Sequence, residues 1–67
     1  MKLDKIESLG QGVTRLHAAG VGYVDVASRY STNTQGWDVE VQQTNVQDTA
    51  ALDRMVLAFR RSEGMDA

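Results

Sequence analysis

The stretch from Trp37 to Asp48 constrains the fold of this chain more than any other. Apolar and polar residues alternate over Trp37-Asp38-Val39-Glu40-Val41-Gln42. Trp37, Val39 and Val41 would therefore share one face of a strand, while Asp38, Glu40 and Gln42 face water. The alternation passes with no linker into residues that start helices. Thr44 with Gln47, or Asn45 with Asp48, has the spacing of a capping box, in which a side-chain oxygen accepts from a free N–H of the first helical turn. A strand joined this closely to a helix fixes the angle between them, so the second half of the chain reads as one rigid unit.

The flanking segments extend that unit. Tyr23-Val24-Asp25-Val26 alternates within a stretch rich in Val and Tyr and predicts a strand over 22–30. Ser31-Thr32-Asn33-Thr34-Gln35-Gly36 supplies polar turn formers. With the returning strand over 37–43, this makes an antiparallel hairpin whose loop exceeds the tight minimum. Leu52, Met55, Val56 and Phe59 then recur at i, i+3, i+4 and i+7, with Val46 and Ala51 on the same side and Leu57 and Ala58 broadening the stripe. Arg60 and Arg61 complement the dipole of the last turn and Gly64 is a stop. The spacing predicts a helix over 46–62 and a mobile tail over 63–67.

At the N-terminus Leu3, Ile6, Leu9, Val13 and Leu16 recur at steps of three and four, the pattern of one helix face. Asp4 and Glu7 suit its first turn and Gly20 suits its C-terminal cap. Gly10 and Gly12 make a weak point, each costing about 1 kcal/mol relative to Ala in a helix interior. The expected fold is a single α+β domain over 1–67, ordered helix (3–18), hairpin, helix. Its two helices would pack with a two-stranded antiparallel hairpin.

Sixty-seven residues bury only about 60% of the unfolded surface, so such a domain is often stabilised by something besides its core. The chain has no Cys and one His, which excludes disulfides, thiolate metal sites and His-rich sites and leaves partner subunits. A formal charge of −2 is the wrong sign for a free-standing nucleic-acid binder. No apolar run approaches a membrane span and no N-terminal signal pattern is present, which makes the cytoplasm the expected compartment.

The chemistry-bearing residues are sparse. His17 has no Ser or Cys nucleophile at a motif spacing and reads as a solvated residue at a helix end. Asp38 and Glu40 superficially resemble a carboxylate pair, but with no third ligand they read as solvating groups that blunt a strand edge. Gly20-Val21-Gly22 precedes a strand, whereas a phosphate loop follows one. The expectation is a non-enzyme with no cofactor or metal. Its candidate interface residues are Trp37, Tyr23 and Tyr30, together with a basic group of Arg54, Arg60 and Arg61. The arginines read either as a solvated helix face or as a contact for an acidic surface or phosphates.

The passage through Gly36, Val39-Glu40-Val41 and Thr44-Asn45-Val46-Gln47-Asp48, taken with the helix–hairpin–helix order, resembles the gpW-type head–tail joining proteins of lambda-like tailed phages. The resemblance implies a structural virion component that forms a homo-oligomeric ring below the portal protein. Such a ring helps retain packaged DNA and offers a docking surface to the next neck or tail protein. It implies localisation in the virion neck after synthesis in the host cytoplasm, with only non-specific proximity to DNA. The acidic Glu63 and Asp66 weigh against DNA contact by the tail. The alternative is a small monomeric protein-binding module or inhibitor of a host protein, with Asp25, Asp38 and Glu40 meeting a basic surface.

Overall fold

The computed structural model describes residues 2–64. Four strands, β1 (Lys5–Gly10), β2 (Val13–Ala18), β3 (Gly22–Ser31) and β4 (Gly36–Thr44), precede one helix, α1 (Thr49–Ser62). The strands form a meander in the order β1-β2-β3-β4, with each neighbouring pair antiparallel. The helix lies across β2 and β3 on one face of the sheet. The architecture is therefore β-β-β-β-α, which corrects the expected α-β-β-α fold.

The difference lies in the first eighteen residues, where a hairpin replaces the expected helix over 3–18. Gly10, Gln11 and Gly12 all adopt positive φ (86°, 56° and 77°), so the chain reverses where the helical pattern needed it to continue. Two of these three positions are glycine, the residue that takes this conformation without steric cost. Gly20 (φ 76°) turns β2 into β3 instead of capping a helix. Of the apolar residues spaced like a helix face, only Leu16 is fully buried; Ile6 and Leu9 are exposed at 42% and 44%. Asp4 accepts from the Ala19 N–H, and Glu7 lies beside His17, so neither serves a helical first turn.

Cross-strand register sorts the side chains onto two faces. Ile6, Leu16 and Val24 lie in one row, Thr14, Val26 and Val41 in the next, and Ser28 with Val39 and Tyr30 with Trp37 continue toward the β3–β4 turn. This is the helix side. Leu16, Ala18, Val24 and Val26 meet Val46, Ala51, Met55 and Phe59 there to form the core. Leu16, Val24, Val26 and Met55 are wholly inaccessible to solvent. The opposite face carries the rows Lys5–His17–Tyr23, Glu7–Arg15–Asp25–Gln43, Val13–Ala27–Glu40 and Arg29–Asp38. No described element covers it.

The joint between β4 and α1 is built differently from the expected capping box. The helix starts at Thr49, with Asp48 as its cap accepting from the Ala50 N–H at 3.0 Å. Residues 45–48 form an extended link. Thr44 and Asn45 serve this link instead of a helix end. The Thr44 hydroxyl donates to the Tyr23 carbonyl (2.7 Å) and accepts from the Val46 N–H (2.9 Å). Asn45 Oδ1 accepts from the Tyr23 N–H (2.7 Å), which fastens the link to the start of β3. At the far end of α1 the Glu63 N–H bonds the Phe59 carbonyl and Gly64 turns away at φ 67°. Of the tail expected over 63–67, residues 65–67 lie outside the described residues.

Candidate functional site

The expected interface residues fall into three separate places. Tyr30 and Trp37 come together on the helix side at the outer margin of the sheet, their rings edge to face with centroids 5.7 Å apart. They remain exposed at 53% and 42%, and Val41 on the same strand face is exposed at 39%. Arg60 reaches this corner and donates to the Trp37 carbonyl at 3.4 Å. Arg54 and Arg61 instead flank Leu57 and Ala58 on the outer surface of α1. Leu57, expected to broaden the apolar stripe, is 42% exposed. Tyr23 lies on the opposite face of the sheet, where its ring supports the Arg15 guanidinium 4.6 Å from the ring centroid.

That Arg15 side chain organises the uncovered face. Its Nε and a terminal nitrogen donate to the two Asp25 carboxylate oxygens at 2.7 and 3.0 Å, a bidentate geometry that is among the strongest available to side chains. Hydrogen bonding from Arg15 holds the Asp25 carboxyl below its usual pKa, against the opposing effect of desolvation. Asp25 is buried and committed to this pair, so it offers no charge to a partner. This corrects its expected role as a partner contact. His17 Nε2 stands 3.3 Å from Glu7 Oε1, both side chains well exposed, as a surface pair between β1 and β2. Among the described residues no three His, Cys, Asp or Glu side chains group as metal ligands, and no buried side-chain polar atom lacks a partner.

The remaining feature is the edge of β4. In a meander the first and last strands each have one side without a neighbour, and there alternate residues point N–H and C=O groups outward. The two edges differ. β1 has six residues and is broken by a bulge between Ser8 and Gly10, which shortens the straight stretch it can present. β4 has nine residues, and its irregularity lies near its C-terminal end, opposite Asp25 and Val26. From Trp37 through Val41 its register is continuous. Beyond the Trp37 carbonyl, no side chain or loop among the described residues hydrogen-bonds this edge.

Beside the edge, on the uncovered face, a shallow depression of about 500 Å³ runs over Ala27 between Gly12, Arg29, Asp38, Glu40 and Gln42. Its floor is a methyl group because Ala27 is the residue opposite Glu40. β4 thus presents apolar side chains toward the helix side, carboxylates toward the depression, and unpaired backbone between them. The alternation Trp37-Asp38-Val39-Glu40-Val41 carries the signal for all of this; the unexpected β1–β2 hairpin pairs the other side of β3 and leaves β4 as one of the two sheet edges. No family model, curated protein or solved structure matches the chain, so the fold and the geometry of this edge carry the functional reading.

Proposed function

We propose that this domain is a non-catalytic protein-binding module that docks a partner along the outer edge of β4. The observation that carries the reading is the aromatic pair Tyr30–Trp37, left half exposed at the longer of the two edge strands. Aromatic residues with a polar rim are the usual anchors of protein interfaces, and a free strand edge is a ready backbone template. The helix is too narrow to cover all four strands. It seals β2 and β3 and leaves the helix-side face of β4 open at Trp37 and Val41.

The ring-forming connector reading keeps as support the match over Gly36–Asp48, but the helix–hairpin–helix order that accompanied it is replaced by the four-stranded sheet. The absence of Cys gives a clean background for testing the docking surface. A Val41→Cys protein carrying a photoactivatable thiol label is expected to give one discrete adduct in the cells that make it, and the adduct is lost when Trp37→Ala is added. A control label at Gln47→Cys gives none. An adduct of twice the chain mass would transfer the reading to self-assembly. Equal adducts from both positions would overturn the proposed surface.

A further inference from the structure

The pattern on β4 also states what kind of strand can lie beside it. Two arrangements would pair this edge with a second copy while keeping the helix on one side of the joined sheet. An antiparallel β4–β4 pair that aligns the apolar residues, with Val39 on the two-fold axis and Trp37 opposite Val41, places Asp38 opposite Glu40 twice. Moving the centre by one residue sets Glu40 against itself. Pairing β4 with β1 of another copy meets the same obstacle in the register that sets Lys5 opposite Glu40, where Glu7 falls opposite Asp38. Like charges directly opposed on a sheet are destabilising. In each of these registers the edge meets like charge on a second copy.

Among the described residues the carboxylates also lack a close ion-pair partner. Among the described residues the ion pairs within 4.0 Å are Arg15–Asp25 and Glu7–His17, which leaves Asp38 and Glu40 without a cation at that range. Asp38 has Arg29 across from it in register, whereas Glu40 faces Ala27. A cationic side chain opposite Glu40 could lay its aliphatic stem over the Ala27 methyl and enter the depression, while its neighbours in the chain met Val39 and Val41 on the other side.

We infer that the partner docked on β4 is an extended segment with Lys or Arg at alternate positions, aligned with Asp38 and Glu40, and apolar residues between them, aligned with Trp37, Val39 and Val41. The inference rests on the proposed docking edge and adds the chemistry of its occupant. It makes Glu40 the dominant selector and Asp38 the lesser one, because Arg29 already offsets part of the Asp38 charge. It also makes the interaction heterologous and sensitive to salt.

Three seven-residue peptides of alternating pattern test this, each with the same Val residues and with Lys, Gln or Glu at the intervening positions. Binding is read from Trp37 emission on the intact protein. The Lys peptide is expected to bind about tenfold more tightly than the Gln peptide at low salt and the Glu peptide not at all, with the Lys advantage shrinking at about 0.5 M salt. Glu40→Gln should remove most of that advantage and Asp38→Asn less. Equal binding of all three peptides would overturn the charge selection and leave the docking edge standing. Failure of every peptide to bind would overturn the inference, and the crosslink from position 41 would then decide the fate of the edge itself.

Discussion

Replacing Gly22 with Ala tests the joint on which the fold turns. Gly22 opens β3 at φ 137°, a conformation that L side chains rarely adopt. A Cβ built there would overlap Asn45 Oδ1 and lie 3.1 Å from Asn45 Cγ and 3.2 Å from Val46 Cγ2. Two costs follow. Holding Ala in that backbone region costs about 1–3 kcal/mol. Displacing the Asn45 amide forfeits its hydrogen bond from the Tyr23 N–H, worth about 1 kcal/mol. The sum is about 2–4 kcal/mol, a fall of roughly 10 °C or more in Tm for a domain of this size. Urea unfolding followed by Trp37 emission and far-ultraviolet circular dichroism measures it. The decisive comparison is a cycle with Asn45→Ala, which alone should cost about 1 kcal/mol. Because truncation at 45 removes the atoms that the new methyl strikes, the double variant should be more stable than the summed single losses by about 1 kcal/mol. Strict additivity, or a Gly22→Ala protein as stable as the parent, would refute the placement of the β2–β3 turn against the strand–helix link.

Three further outcomes follow from the same structure. Met55→Ala, at a wholly buried position, should cost about 2–5 kcal/mol by chemical denaturation, whereas Leu57→Ala on the outer helix face should stay within about 0.5 kcal/mol of the parent. Trp37→Ala should leave a folded protein with unchanged circular dichroism and abolish peptide binding read by amide NMR; loss of the fold would place Trp37 in the core. Asp25 has a depressed carboxyl in the folded state, so its stabilising contribution is complete above the ordinary carboxylate range near pH 4 and fades as pH falls through the folded value. Asp25→Asn should therefore be less stable than the parent at neutral pH, and the difference should narrow in acid titrations below about pH 4.

The elements that read clearly from the sequence are those whose periodicity had a single interpretation. Met55 and Phe59 are four apart, are preceded by an Asp cap, and are buried against the sheet as a helical stripe requires. Trp37, Val39 and Val41 occupy one strand face because a strand alternates whatever its neighbours are. The first hairpin was ambiguous for a physical reason. Its two short strands carry few apolar residues each, and Ile6, Leu9, Val13 and Leu16 match a helix period only because the turn falls between them. The contrary signal was the pairing of Gly10 with Gly12 and of Gly20 with Gly22, two glycine-marked reversals about ten residues apart, as successive turns of a meander are spaced.

The same ambiguity hid part of the site. Without β1 and β2, β4 belongs to a two-stranded hairpin with two comparable edges, and Asp38 and Glu40 read only as solvating groups that blunt one of them. Thr44 and Asn45 were recognisable as capping chemistry, yet their acceptors serve the Val46 and Tyr23 N–H groups and not a helix terminus. Local spacing identifies a side chain that seeks a backbone N–H; only the register shows which one it meets. Asp25 sits between two valines on a strand and gives no sign of its burial until Arg15 is placed directly across from it.

The most direct measurement is an amide NMR titration of the isotopically labelled domain with the alternating Lys–Val peptide. Resonances of residues 36–42 and the Trp37 indole should move together, with smaller changes on the β3 residues behind them and none at Arg54 or Arg61. Movement centred on β1, on the Arg15–Tyr23 face or on the outer surface of the helix, with β4 unchanged, would contradict the assignment of the free edge as the place where this protein meets its partner.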